Sequence, residues 1–256
     1  MKKMDLCALD SYFRSILKIT EFEKYDYSLN GIQVDRGEGP IHRVAFAVDA
    51  CQESFRAAYE WGAEVLCVHH GLFWGKELPI RGVHRERIKF LLEHDIALYA
   101  AHLPLDADPE IGNNSTLARK LQLQDLSPFG VYRGVEIGIQ GRFPEPMDLQ
   151  TVVSRLFGSP SPDYQLLPFG KPEIRTVAIV SGGAASEALQ AIDQGIDLFV
   201  TGEPAHTIYH TCMEAGINVV FGGHYQTETG GVQQWAERTN RDTGLETRFF
   251  DIPTGL

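Results

Sequence analysis

VAFAVDACQESFRAAYEWGAEVLCVHHGLFW, residues 44–74, decides the fold. It opens on the apolar run 44–48, short and continuous as a strand buried on both faces is. Phe55, Ala58 and Tyr59 follow at i, i+3 and i+4, which gives a helix one apolar face. Gly62 stands where a helix C-cap belongs, and a second apolar run, 65–68, ends directly on His69-His70-Gly71. Strand, helix, strand with no hairpin signal between them is a βαβ unit, whose two strands run parallel.

The same pattern recurs 133 residues on, with Ile41 laid over Ile174 and no gap through Gly71. Ile41, Val44, Ala45, Ala58 and Gly62 meet Ile174, Val177, Ala178, Ala191 and Gly195 as identities, while Glu60 and Glu64 meet Asp193 and Asp197. Ala188, Ala191 and Ile192 repeat the helical face, and runs 177–180 and 198–200 repeat the strands. Third strands are expected at 96–101 and 217–221. The expected fold is therefore α/β, two similar α/β lobes with mainly parallel sheets. Residues 1–125 with about 228–256 form the first lobe in this reading, and 126–227 the second. The Pro- and Gly-rich stretch 124–172, with a strand at 135–139 and a helix near 149–156, opens the second lobe. A last strand at 247–252 returns to the first.

The 256 residues are 43% apolar and 22% charged, enough chain to bury a core without staples. A formal charge of -11, with no basic stretch to offset it locally, weighs against nucleic acid as a partner. Cys7, Cys51, Cys67 and Cys212 are too scattered for a disulfide framework or a zinc ribbon, and Cys51 and Cys67 are expected as small core residues. The start, MKKMDLCALDSYF, carries Asp5 and Asp10 and no continuous apolar stretch, so it is not read as a secretory leader. No run approaches membrane-spanning length, and the expected compartment is the cytoplasm.

In open α/β sheets ligands collect beyond the C-terminal ends of the strands, at the switch points of the topology. His69 and His70 follow the second strand, His102 and Asp106 the third, and His224 and Glu228 the third strand of the second copy. The spacing His-x-x-x-acid occurs in both copies, in HLPLD and HYQTE. A single histidine at a strand end is more often hydrogen-bonded than a ligand. Three such clusters at equivalent strand ends make that plain reading hard to hold. Imidazole and carboxylate together suit Zn, Mn, Fe, Co or Ni and weigh against calcium, and this many donors suit two ions better than one. His84 and His94 are expected on a surface helix in solvent, and Glu203, before Pro204, as a helix cap or dipole partner. His206 and His210 stand four apart without a nearby acid, which favours substrate or structural roles. Ser181-Gly182-Gly183 reads as a tight turn and Asn30-Gly31 as a hairpin-type turn, with Asn30 facing the site as the alternative, and Phe73 and Trp74 read as packing or pocket aromatics.

SLNGIQV, VLCVHHGLFWG, YAAHLPLDA followed by GNN, TGE, GGHYQTE and FFDIP, in this order from end to end, resemble the Nif-three-like dinuclear metal proteins, the GTP cyclohydrolase 1 type 2 homologues. The resemblance implies two α/β lobes with a dinuclear site in the cleft between them, two divalent metal ions per subunit, and a toroidal homohexamer. It carries the metal ligands to His69, His70, Asp106, His224 and Glu228, with Glu228 bridging, and puts His102 near the site with its ligand status open. His102 is the candidate proton shuttle of the chemistry expected there. The leading functional expectation is a metal-dependent hydrolase of GTP-cyclohydrolase type, acting on a small-molecule substrate, a nucleotide or phosphate ester. A ring-forming metal-binding scaffold without turnover, and redox chemistry at an iron pair, are the competing readings.

Overall fold

A computed structural model describes residues 4–158 and 164–256. The first three residues of the basic start, and 159–163 of the Pro- and Gly-rich stretch, lie outside the described residues. The chain divides into two compact units, Met1–Leu105 with Val232–Ile252 and Asp106–Gly231 with Pro253–Leu256. The first contains α1 (Leu6–Leu17), α2 (Ile19–Phe22), β1 (Gly31–Val34), β2 (Arg43–Asp49), α3 (Gln52–Trp61), β3 (Val65–His70), α4 (Gly82–Glu93) and β4 (Ala97–Ala100). The single turn α5 (Leu103–Asp106) ends on the first residue of the second unit. There follow α6 (Asn113–Leu121), β5 (Gln124–Tyr132), β6 (Val135–Met147), α7 (Leu149–Phe157), β7 (Gln165–Pro168) and β8 (Ile174–Ile179). α8 (Ala188–Asp193), β9 (Leu198–Thr201), α9 (Tyr209–Ala215) and β10 (Asn218–Phe221) complete that run. α10 (His224–Thr243) starts in the second unit and ends in the first, where β11 (Glu246–Phe249) is the chain's last strand.

The first sheet has the order β1-β4-β3-β2-β11. Its ladders are parallel except for β1, which pairs antiparallel with β4 at one edge. Ala45, Ala47, Leu66, Val68, Leu98 and Ala100 pack with Phe55 and Ala58 of α3 and Leu91 of α4. Residues of the other parity, Phe46 and Tyr99, meet Phe13 of α1 and Trp235 of α10 through edge-on ring contacts, of which Phe13–Trp235, Phe13–Tyr99 and Phe46–Trp235 span 4.9 to 5.2 Å. Helices on both faces are why these strands read as unbroken apolar runs rather than alternating ones. Each fully buried aliphatic side chain in them contributes roughly 1.5–3 kcal/mol.

The second sheet has the order β5-β6-β8-β9-β10-β7. Its repeat strands β8, β9 and β10 run parallel, and β6 and β7 are added antiparallel on either side, with β5 hairpinned onto β6. The parallel core thus matches that of the first unit, with antiparallel margins that the repeat did not announce. The hairpin turns on Arg133 and Gly134, with φ of 51° and 97°, the paired left-handed residues that a two-residue turn demands. Strand β5 was hidden in the sequence because Asp125, Pro128 and Gly130 disfavour strands, and Pro128 is tolerated only on an edge. β6 also runs on well past the expected 135–139. Gly62 and Gly195 adopt left-handed φ of 77° and 67°, as expected of helix stops.

Two expectations are corrected. Cys67 is fully buried, but Cys51 caps α3, its sulfur accepting from the Ser54 N–H while the Ser54 hydroxyl oxygen accepts from the Cys51 N–H. His84 and His94 are half-buried rather than solvated, because α4 lies against aromatic neighbours: Tyr59 of α3 meets His94 edge-on at 4.2 Å and Phe73 meets His84 edge-on at 5.4 Å. Among the described residues no helix is long and apolar enough to cross a membrane.

Gly231, inside α10, donates its N–H to the Asn113 Oδ1 at 2.9 Å, and a Cβ there would lie 2.6 Å from the Asn113 backbone nitrogen. Alanine is the better helix former by about 1 kcal/mol, yet Gly231→Ala is expected to destabilise the protein by about 1–3 kcal/mol through overpacking. Urea unfolding that shows equal or greater stability would contradict this close approach.

Candidate metal centre

In the first unit the C-terminal ends of β2, β3 and β4 bring three imidazoles together. The parallel register sets Asp49 beside His70, and His70 Nδ1 lies 2.9 Å from the Asp49 carboxylate. His69, fully buried, donates from Nδ1 to the Ala101 carbonyl at 2.9 Å. His102, just beyond β4, places Nδ1 2.9 Å from the Asp26 carboxylate. A carbonyl or a carboxylate can only accept, so each ring carries a proton on Nδ1, and Nε2 is the nitrogen through which it can ligate. The three histidines offer ring nitrogens that all lie within 4.8 Å of one another, with ring centroids 4.6 to 5.8 Å apart. An oxygen acceptor on Nδ1 orients an imidazole so that Nε2 can meet a metal. The group could hold an ion on its chemistry alone.

Asp26 is an ionised acceptor despite its place in the interior. Burial alone would raise its pKa, but the hydrogen bond and charge of His102, with Asn30 and the Ser28 N–H, hold it below the usual carboxylate range. The loop after β3 is fixed in turn by Gln33, whose Oε1 accepts from the Leu72 N–H at 2.6 Å and whose Nε2 donates to the Leu29 carbonyl at 2.8 Å. Gly71 is needed there because any Cβ would collide with the Gln33 amide. Trp74 donates to the Gly71 carbonyl at 3.0 Å and stands edge-on to His102 at 4.9 Å, so it packs beside the imidazoles.

The second unit supplies a different donor set. Asp106, 6% exposed, accepts from the Asn113 amide at 2.9 Å and the Ser181 hydroxyl at 3.0 Å. His224 and Glu228 are one helical turn apart at the start of α10, with His224 Nε2 3.2 Å from Glu228 Oε2 and Nδ1 2.7 Å from Glu203 Oε1. Burial would lower the His224 pKa, but Glu228 and then Glu203 outweigh it and push it up to about 9. Glycines make room for this pair. Gly182, at φ 68°, would drive a Cβ into the Glu228 carboxylate and to 3.2 Å from His224 Nε2. A Cβ on Gly202 would lie 2.8 Å from the His224 Cα. Thr227 Oγ1 accepts from the Gly182 N–H at 3.0 Å and closes the cradle. Space left beside a carboxylate and an imidazole by two glycines suits a ligand-bearing turn better than a plain one.

The structure therefore gathers His69, His70 and His102 in one unit, and His224 and Glu228 in the other with Asp106 held by its own polar partners. Glu203 is corrected from helix cap to acceptor for His224, because the helical turn begins only at the 3-10 segment His206–Ile208. His206 and His210 are exposed. Of the two readings of Asn30, the structure bears out the one in which it faces the candidate site rather than the hairpin turn: its Nδ2 donates to Asp26 at 2.8 Å and its Oδ1 accepts from the His102 N–H at 2.8 Å, while Gly31 opens β1. Ser181-Gly182-Gly183 is the expected turn, with a role the sequence did not show. Asp49 and Asp26 were missed. Asp49 was findable, as the acid that ends VAFAVD at a strand tip level with His70; Asp26, in YDYS, had no local signal.

The model of the Duf34/NIF3 (NGG1p interacting factor 3) family matches residues 4–254. A Treponema pallidum protein is 46% identical over 97% of this chain and 98% of its own length, and one from Archaeoglobus fulgidus 45% identical over 99% and 100%. Both carry the name GTP cyclohydrolase 1 type 2 homolog. Among solved structures, the crystal structure of TTHA1606 from Thermus thermophilus is similar with a TM-score of 0.87 and 44% identity, covering 99% of this chain and 100% of that one.

Removing the acceptor in Asp49→Ala is expected to weaken divalent-metal affinity about 10–100-fold with the fold kept, since such partners orient the ligand ring. Competition with a chromophoric chelator measures it, and an unchanged affinity would contradict the role. The same titration should depend on pH. A His224 proton with a pKa near 9 must leave before the ring can ligate, so affinity climbs from pH 7 by up to about tenfold per unit for that proton and levels off above about 9. Glu203→Gln should shift the climb to lower pH; a profile flat from pH 7 to 9 would refute the assignment.

Proposed function

This chain belongs to the Duf34/NIF3 family, and from that premise we propose that it is a metal-dependent hydrolase. In this reading His69, His70, Asp106, His224 and Glu228 would hold two divalent cations, and the substrate is a nucleotide or phosphate ester. The observation that carries it is the histidine cluster of the first unit, in which every Nδ1 is committed to an oxygen acceptor and the three rings come together within ligating distance of one another. The carboxylates and imidazole of the second unit supply the harder donors that a divalent pair needs.

Bound there, a pair of divalent cations would polarise a substrate oxygen and lower the pKa of a water. The residues contribute the rest. Asp49 and Glu203 orient His70 and His224, and Ser181 and Asn113 hold the Asp106 carboxylate in one rotamer. His102, fixed by Asp26, serves as the proton carrier beside them. Trp74 shields one side of His102. The proposal includes assembly as a cytoplasmic homohexamer, with no nucleic-acid partner. Family membership and the resemblance support the assembly, and the net charge of -11 supports the lack of nucleic acid.

Protein purified without chelator or metal-affinity tag is expected to carry about two transition-metal ions per chain by elemental analysis. Offered GTP and a panel of phosphate esters, it should turn over at least one, and Asp106→Ala should reduce that turnover by several orders of magnitude. Absence of bound metal and of metal uptake, or equal turnover in Asp106→Ala, would end this reading.

A further inference from the structure

Asp26 is separated from His102 by 76 residues, and its carboxylate is 1% exposed. It accepts four hydrogen bonds. Oδ1 takes the Ser28 N–H and His102 Nδ1–H, each at 2.9 Å. Oδ2 takes the Asn30 amide at 2.8 Å and the Leu103 N–H at 3.0 Å. Asn30 meanwhile holds the His102 backbone N–H through its Oδ1 at 2.8 Å. Four donors converge on one buried group, and only an ionised carboxylate has acceptor capacity for all of them.

We infer that Asp26, braced by Asn30, is a positioning residue that locks His102 in the tautomer with its proton on Nδ1, leaving Nε2 as the basic atom of the ring beside His69 and His70. This rests on the hydrolase reading only for its kinetic consequence; the tautomer is a property of the chain itself. Two of the four donors are backbone N–H groups and cannot reverse. Asn30 cannot turn its amide without setting its NH2 against the His102 N–H. The His102 ring alone can change from donor to acceptor, by moving its proton to Nε2. Asp26→Asn, nearly the same in shape, therefore turns its amide nitrogen toward the ring and forces that move. The consequence is an imidazole in the right place with its lone pair on the wrong atom.

Long-range proton–nitrogen correlation spectra of the full-length, metal-free chain at about pH 8, well above the ordinary histidine pKa, test this, with the His102 signals identified by their loss in His102→Gln. Wild type is expected to show the proton on Nδ1, and Asp26→Asn the proton on Nε2. An Nε2 proton in wild type, or the same tautomer in both proteins, overturns the inference. Should Asp26→Asn fail to fold, the wild-type spectrum still decides it. In metal-loaded protein, Asp26→Asn should lower kcat on the order of 10²–10⁴-fold while KM stays within about twofold. An unchanged kcat overturns the kinetic consequence. A wild type that turns over no substrate overturns the hydrolase reading instead, and the spectra still judge the positioning role.

Discussion

An imidazole has two nitrogens, and a site can use one only when the other is spoken for. In the first unit each Nδ1 is committed to an oxygen that can only accept: a main-chain carbonyl for His69 and carboxylates for His70 and His102. The commitment fixes tautomer and ring orientation before anything binds. It also explains why polar groups as costly as Asp26 are kept inside a fold of apolar strands. Without these acceptors the rings would be free to rotate and to protonate on either side.

The second unit meets the same requirement with carboxylates and with space. His224 lies between Glu228 and Glu203, which hold its proton to a higher pH than free histidine would. Gly182 and Gly202 let the turns that follow β8 and β9 approach closer than any side chain would allow. Gly231 does the same for Asn113, which reaches on to Asp106. Conformational entropy lost at these glycines is the cost of bringing acids to fixed positions.

The two donor sets differ in kind, imidazoles in one unit and mostly carboxylates in the other. A chain with a net charge of -11 gathers imidazole nitrogens where acceptor oxygens orient the rings, and holds the Asp106 carboxylate with hydroxyl and amide donors. The donors are imidazole and carboxylate, the types that transition-metal cations accept.

Periodicity and repetition in the sequence determined the alternation of strands and helices, the parallel core of each unit, the helix-stopping glycines and the residue types at the strand tips. All of these arise from contacts within a few residues or from an apolar pattern that burial on both faces imposes. His69-His70, His102 and Asp106, and His224 and Glu228 were legible because each follows a strand in a short, recognisable run. The hairpin of β5 was masked by its own proline, aspartate and glycine. Only tertiary structure decided that Asp26 serves His102, that Gln33 pins the loop after β3, that Ser181 holds Asp106, and that Glu203 is no cap but the acceptor for His224. These partners are separated by 21 to 76 residues. A hydrogen bond between such partners leaves no trace in local composition, because it depends on where folding delivers both ends of the bond.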